Sequence, residues 1–377
     1  MNKKILTALS LFIFVTVLGS FVWFRFLSFK DRPNILNSDF VQMYLTGKAV
    51  AAGVPIYEPL PDLATRFDPE LNDDNHPSAY PPLFAVVGSL ISRISYKNAF
   101  MLWGSIEILC FILSIVLLIR HSREHTPEIL ITASLFVLWR PFYSDLLQGQ
   151  IMMLATLLLT GTWISLKNGR GIRAGLLLAI LFSLKLYGLP LLLAVAISKK
   201  WATIVSAVVG FLVINLLAMW FVGLGAFLVY AQTVVPMIAE IYHRHGLNFS
   251  VFALFGPFVA VLVFGTALIM ALRSQDFDTQ FWIVLVISSV LSPVAWIHYF
   301  LTFFPAVCLL VCRNNRRPLM LLPVVLLAGL LNVDEYIFHT FGIRWFPLVF
   351  VFVLLLSLYY LPNQRKSVAT LDGVSVA

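Results

Sequence analysis

Long, largely apolar runs recur along this chain, each closed by a short basic or polar loop; the first extends from Ile5 to Leu27, with Arg25 near its end. About 20 such residues suffice to cross a bilayer as a helix. In hydrocarbon only helices and closed barrels satisfy their own backbone hydrogen bonds. Charged residues are 12% of the 377, against roughly 25% in soluble domains. The pattern predicts an all-α polytopic membrane protein. The net charge of +8 comes from Lys and Arg clustered between the apolar runs, so it reads as a topology signal and not as a nucleic-acid surface.

Spans are expected at roughly 5–27, 98–119, 128–142, 150–166, 201–222, 251–272, 279–295, 298–312, 318–333 and 345–361. Two half-length segments flank Lys185-Leu186-Tyr187-Gly188 and form a broken hairpin with basic residues at both ends. This gives about 12 membrane segments. The start, Met1-Asn2-Lys3-Lys4, reads as the cytoplasmic end of a retained signal anchor. The basic loops place both termini in the cytoplasm. The chain reads as one integral-membrane domain over 1–377, with an outer loop at 28–97 and a cytoplasmic tail at 362–377. A second outer interval is expected at 223–250, with a basic patch at His243-Arg244-His245. Cys110, Cys308 and Cys312 lie in apolar segments and read as packing residues.

The longest polar interval, Asn37 to Pro82, holds seven of the 18 Asp and Glu: Asp39, Glu58, Asp62, Asp68, Glu70, Asp73 and Asp74. Two short interfacial helices are expected inside the outer loop. One follows Asp39 and stops at Gly53, with Phe40, Met43, Tyr44, Gly47 and Val50 on one face. The other starts at Pro81-Pro82 and runs to about Ser95, with Leu83, Val86, Val87, Leu90, Ile91 and Ile94 on its apolar side.

Few residues here can carry chemistry, and each has a structural reading beside a functional one. Asp39 with Gln42 three residues on fits a capping box; a carboxylate so fixed also suits a general base. Lys185 is a charge inside an apolar hairpin, which marks a functional site by default. Snorkelling or an ion pair is the alternative; as a point charge it suits a phosphate. His298, between Trp296 and Tyr299, is either a satisfied structural residue or a donor to an anion. Asn248-Phe249-Ser250 fits a glycosylation sequon or a helix N-cap. Gly149-Gln150 reads as a turn opening a helix. The sequence contains no convincing phosphate loop, HExxH helix, GxSxG elbow or zinc spacing, which argues against a nucleotide-binding domain.

An ordered set of short motifs runs through most of the chain: Ser38-Asp39-Phe40 with Tyr44, Gly53, Ile56-Tyr57, Tyr80-Pro81-Pro82, Gly149-Gln150, Lys185, Asn248-Phe249-Ser250, and Ser292-Pro293-Val294-Ala295-Trp296 with His298. In these the chain resembles the polyprenol-phosphate-mannose-dependent α-1,2-mannosyltransferases, a family of membrane-embedded C-type glycosyltransferases. Met152 departs from the pattern, which has Asn there. The resemblance implies a C-type fold and a polyprenyl-phosphate sugar donor, with no cofactor and no metal. It implies Asp39 as general base, Lys185 and His298 at the donor phosphate, and Asn248, Gln150, Tyr80 and Tyr44 shaping the substrate site. The expected activity is transfer of a hexose, mannose first, to a lipid or glycan acceptor on the outer face of the cell membrane, with inversion. A flippase or transporter of lipid-linked sugars is the competing reading, because an intramembrane Lys and half-length helices also suit a binding site at depth.

Overall fold

The computed structural model describes residues 3–71, 76–243, 248–274, 276–313 and 348–359. The expected span at 318–333, the tail at 362–377 and the patch at 243–245 lie outside the described side chains. Among the described residues the chain is helical, with no strand. Four helices are long and apolar enough to cross a membrane: Lys3–Phe26, Tyr96–His121, Trp201–Tyr242 and Val251–Arg273. A fifth candidate is the pair Arg123–Leu138 and Arg140–Gln148, bent by 58°. Outward-facing apolar side chains such as Trp220 and Phe258 cover these helices as lipid-facing residues do. The chain is therefore membrane-embedded.

Shorter apolar helices fill the interior: Met152–Lys167, Gly171–Leu184 and Phe277–Leu291. The broken hairpin is present. Gly171–Leu184 ends at Lys185, which is extended (φ −156°, ψ 129°), and the chain resumes as helix at Leu191–Ile197. The Tyr187 hydroxyl ties the break to neighbouring elements through Ser289 Oγ at 2.5 Å and Thr302 Oγ1 at 2.6 Å. Irregular backbone surrounded in this way by protein is tolerated at membrane depth.

One end of the Met152–Lys167 helix is clamped by charge. Buried Asp278 accepts from Trp163 Nε1 at 2.8 Å and Lys167 Nζ at 3.0 Å, and also pairs with Arg313. Arg313 reaches Asp276 at 2.7 Å as well. Three helices are thereby joined at one level. Sixteen residues of helix put the other end about 24 Å away, where the polar cluster described below sits.

The outer interval contains the expected helix Phe40–Ala52, stopped by left-handed Gly53 (φ 67°). It differs from the expectation in having Phe40 to Gly47 buried on every side, not along one face. The second helix, Pro82–Ile91, ends short of Ser95. Its protein-facing side is Phe84, Ala85 and Gly88, while Leu90 and Ile94 point outward. A third helix, Leu60–Phe67, was not anticipated; it buries Leu60, Leu63 and Ala64.

The first two of these helices touch backbone to backbone. A Cβ at Gly47 would lie 2.4 Å from the Gly88 carbonyl carbon, and one at Gly88 would lie 2.3 Å from Met43 O. Neither neighbour is a movable side chain. Gly88→Ala therefore forces the helices apart, an overpacking that costs about 1–3 kcal/mol. A lowered thermal midpoint in detergent is the expected result. An unchanged midpoint would show that the two backbones do not meet.

The interval expected at 223–250 is helical over most of its length. Helix runs from Trp201 to His243 across a non-helical break at Gly223 (φ 78°, ψ 159°), the point where the expected span 201–222 ends; a glycine permits such a kink without ending the helix. Beyond the break Tyr230 stacks on Tyr57, and the Tyr242 hydroxyl lies 2.8 Å from His76 Nε2, so this stretch packs on the 28–97 interval.

Candidate functional site

Four separate parts of the chain meet at one polar spot. Asp39 stands at the start of Phe40–Ala52. Gln150 lies in the turn between Arg140–Gln148 and Met152–Lys167. Lys185 lies at the hairpin break, and Tyr80 lies just before Pro82–Ile91. The Gln150 side chain joins the first three. Its Nε2 donates to Asp39 Oδ2, and its Oε1 accepts from Lys185 Nζ at 2.8 Å. A carboxylate and an ammonium are thus held on opposite ends of one amide.

Local structure explains each placement. Gly149 is left-handed (φ 62°), and a Cβ there would fall 2.5 Å from Phe40 Cβ. Only glycine allows both the turn and the close approach, and that approach brings Gln150 to Asp39. The Asp39 backbone N–H donates to Gln148 Oε1 at 3.3 Å, which fastens the same two segments again. Gln42 donates weakly to Asp39 Oδ1 at 3.5 Å, while its Oε1 accepts from Ala79 N at 2.8 Å. One glutamine side chain therefore spans both ends of the outer loop.

The capping reading of Asp39 is not realised. Asp39 has helical φ and ψ, and its side chain makes no cap hydrogen bond. Its carboxylate is turned toward Gln150 and Gln42 instead. Lys185 also makes no simple ion pair. Its ammonium sits 4.7 Å from the Tyr299 ring centroid and 5.4 Å from that of Tyr80, within the range of cation–π attraction. Burial, and then the Asp39 charge, push the Tyr80 hydroxyl well above the usual tyrosine range, and the hydrogen bond with Gln150 only partly offsets this. Tyr80 therefore stays a protonated donor beside Asp39.

His298 is 3% exposed, and its Nε2 finds no partner among the described residues. Its ring packs on Tyr299, 5.2 Å between centroids, and lies within electrostatic reach of Lys185. A buried donor or acceptor without a partner calls for an explanation, and a polar ligand group supplies one.

Two expected site residues have other work. Asn248 uses its whole side chain on backbone: Nδ2 donates to Tyr242 O and Pro293 O, and Oδ1 accepts from Ser250 N and Ala295 N. It pins the 248–250 turn to the 293–295 loop. It is also 1% exposed, and the helix N-cap is Ser250 Oγ, accepting from Phe252 N at 3.1 Å. Tyr44 donates to Ile94 O at 3.0 Å and meets the Tyr96 ring edge-on, so it braces the outer loop and is not brought into the Asp39–Gln150–Lys185 cluster.

Two residues outside the sequence-derived set stand directly behind Gln150: Glu107 and Asp145, 1% and 0% exposed. Glu107 carries a sequence signal, since a carboxylate in the middle of an apolar span is functional by default; Asp145, between the expected spans 128–142 and 150–166, carries none. Among the described residues no group of three His, Cys, Asp or Glu stands together to hold a metal ion.

A membrane-embedded helical chain that gathers a carboxylate, an amide and an ammonium at one buried point has the parts of a group-transfer enzyme. The sequence profile of glycosyltransferase family 87 matches residues 79–333, more than half of the chain, and the chain belongs to that family. It is a glycosyltransferase acting between a sugar donor and an acceptor. Tyr80, Gln150, Lys185, Asn248 and His298 lie inside the matched region; Asp39 and Tyr44 precede it. No curated protein and no solved structure matches the chain.

Proposed function

We propose that this glycosyltransferase moves a hexose, mannose in the first instance, from a polyprenyl phosphate to an acceptor hydroxyl with inversion. Asp39 is the general base. The acceptor oxygen attacks the anomeric carbon and gives its proton to the Asp39 carboxylate. The bond from that carbon to the phosphate oxygen breaks, and the electron pair leaves with the polyprenyl phosphate. Lys185, with His298 beside it, meets the departing anion. The observation that carries this reading is the Asp39–Gln150–Lys185 chain, which sets a base and a cation a single amide apart.

The C-type architecture with about 12 segments, and a site on the outer face of the cell membrane, belong to the same proposal. Charge supports that orientation. Lys3-Lys4 open the first helix and Asp39 follows its far end; Lys167 and Arg170, and then Lys199-Lys200, lie at the ends of their helices remote from Gln150 and Lys185. The basic ends mark the cytoplasmic side, so multi-pass topology with cytoplasmic termini puts the cluster outside. The flippase reading draws on Lys185 and the broken hairpin alone, and family membership favours transfer.

The test is incubation of the purified protein with a panel of polyprenyl-phosphate hexoses and nucleotide sugars in native membrane lipids, read by mass spectrometry. The expected result is a hexose added to a lipid or glycan, polyprenyl phosphate released, and nucleotide sugars inert. Transfer from a nucleotide sugar alone overturns the donor, and lipid-sugar movement across vesicles without product overturns the reaction.

A further inference from the structure

Glu107 sits in the middle of the Tyr96–His121 helix and Asp145 on Arg140–Gln148, and both are buried. Their partners are the first amides of one helix. Asp145 Oδ1 accepts from Met152 N at 3.0 Å. Glu107 Oε2 accepts from Met153 N at 3.0 Å and Leu154 N at 3.1 Å. The first N–H groups of a helix have no partner within it, and its positive dipole end favours an anion. Here Ile151 offers no side-chain cap, and two other helices supply the cap.

One turn before Glu107, on the same helix face, Trp103 Nε1 donates to both Gly149 O and Gln150 O at 3.1 Å. Residues 149–154 are thus held from both sides: carbonyls by Trp103, amides by the two carboxylates. The residue held in the middle is Gln150, which bridges Asp39 and Lys185. Two carboxylates in an apolar interior are more than a cap requires, since a neutral Ser or Asn satisfies such amides. One oxygen of each, Glu107 Oε1 and Asp145 Oδ2, finds no partner among the described residues, and both groups lie within electrostatic reach of Lys185.

We infer that Glu107 and Asp145 are positioning residues for sugar transfer: by holding the Met152–Lys167 helix start they set Gln150 so that Asp39 and Lys185 face one substrate. The activity part of this rests on the function proposed above; the structural part does not. Two measurements keep them apart. The first is hydrogen–deuterium exchange of purified wild type, E107A and E107Q. In E107A, exchange should rise at residues 152–154 and also in the segments holding Asp39 and Lys185. In E107Q, whose amide oxygen can still accept from both backbone groups, all three segments should stay near wild type. Faster exchange confined to 152–154 in E107A overturns the positioning role, whatever the donor proves to be.

The second is a double-mutant cycle on transfer. E107A should lower kcat by about 10²-fold, the scale of a small misplacement of reacting groups, with donor KM little changed, and E107Q should recover most of that loss. Added to Q150A, E107A should cost no more than a further factor of about 3, because residues acting through one another are not additive. Full additivity, or E107Q as impaired as E107A, overturns it. No transfer by wild type from any polyprenyl-phosphate sugar rejects the donor assignment alone, and exchange then decides.

Discussion

Asp39→Asn abolishes measurable transfer while the protein stays folded. General-base catalysis contributes about 10²–10⁴-fold, and the amide has no basic oxygen to replace it. The stability side follows from the bonds. Asp39 caps no helix, so the substitution removes no cap. Asparagine can present its Oδ1 to Gln150 Nε2, because the Gln150 oxygen is already held by Lys185. Its Nδ2 then faces Gln42 Nε2, a mismatch at a contact already long at 3.5 Å. The expected picture is a near-normal thermal midpoint, near-normal donor binding, and a rate at least 10²-fold down. A variant within threefold of wild type, roughly 0.7 kcal/mol in barrier, removes Asp39 from the reaction.

The chemistry-bearing residues were legible because they are anomalies in their surroundings. A lone Lys in an apolar hairpin and an Asp directly after a span each stand out against 60% hydrophobic residues. Their sharing of one site follows from the resemblance, but the way they meet is not legible: the Gln150 amide joins Asp39 to Lys185, carried by a turn that only Gly149 permits. Spacing also misled where side-chain direction decides. Asp39 and Gln42 have the capping-box interval, yet Asp39 adopts helical dihedrals and its carboxylate leaves the helix end. Asn248, expected to shape the site, spends its side chain on four backbone hydrogen bonds that hold the 293–295 loop ahead of His298, a pairing no spacing reveals. The polar residues after Gly223 mark an interval beyond the expected span 201–222 but not its form: Tyr230 and Gln232 sit within helix. Glu107 carries a signal of its own, a carboxylate mid-span, but nothing in the sequence tells that its partners are backbone amides of another helix.

Lys185→Met separates the two roles of that lysine. Methionine matches the length of the stem and removes the charge, the hydrogen bond to Gln150 and both cation–π contacts. If the ammonium meets a donor phosphate, its loss acts on the transition state. Removing one preorganised donor to a developing anion lowers rate by about 10²–10³-fold, and donor affinity falls with it. The same change also touches stability, because Asp39, Asp145 and Glu107 lie within electrostatic reach of Lys185 and lose its positive charge. Leaving buried carboxylates without that counter-charge is destabilising, with the cost of breaking a direct buried pair, about 3–5 kcal/mol, as the upper bound, so the single variant needs two companions. Asp39→Asn in the same chain removes one of those negative charges and should return part of the thermal midpoint without returning activity. Lys185→Arg keeps the charge but not the compact ammonium; it should hold donor KM within about tenfold while kcat falls, since the longer, planar fork can still stack on Tyr80 and Tyr299 but does not place a point charge where the ammonium stands. A lysine that served only as a structural ion would behave differently: Lys185→Met would turn over at close to the wild-type kcat per folded molecule, and donor affinity would not distinguish methionine from arginine. That pattern, read from kcat, KM and thermal midpoint on the same four proteins, would take Lys185 out of the phosphate site and leave it as the counter-charge of three carboxylates.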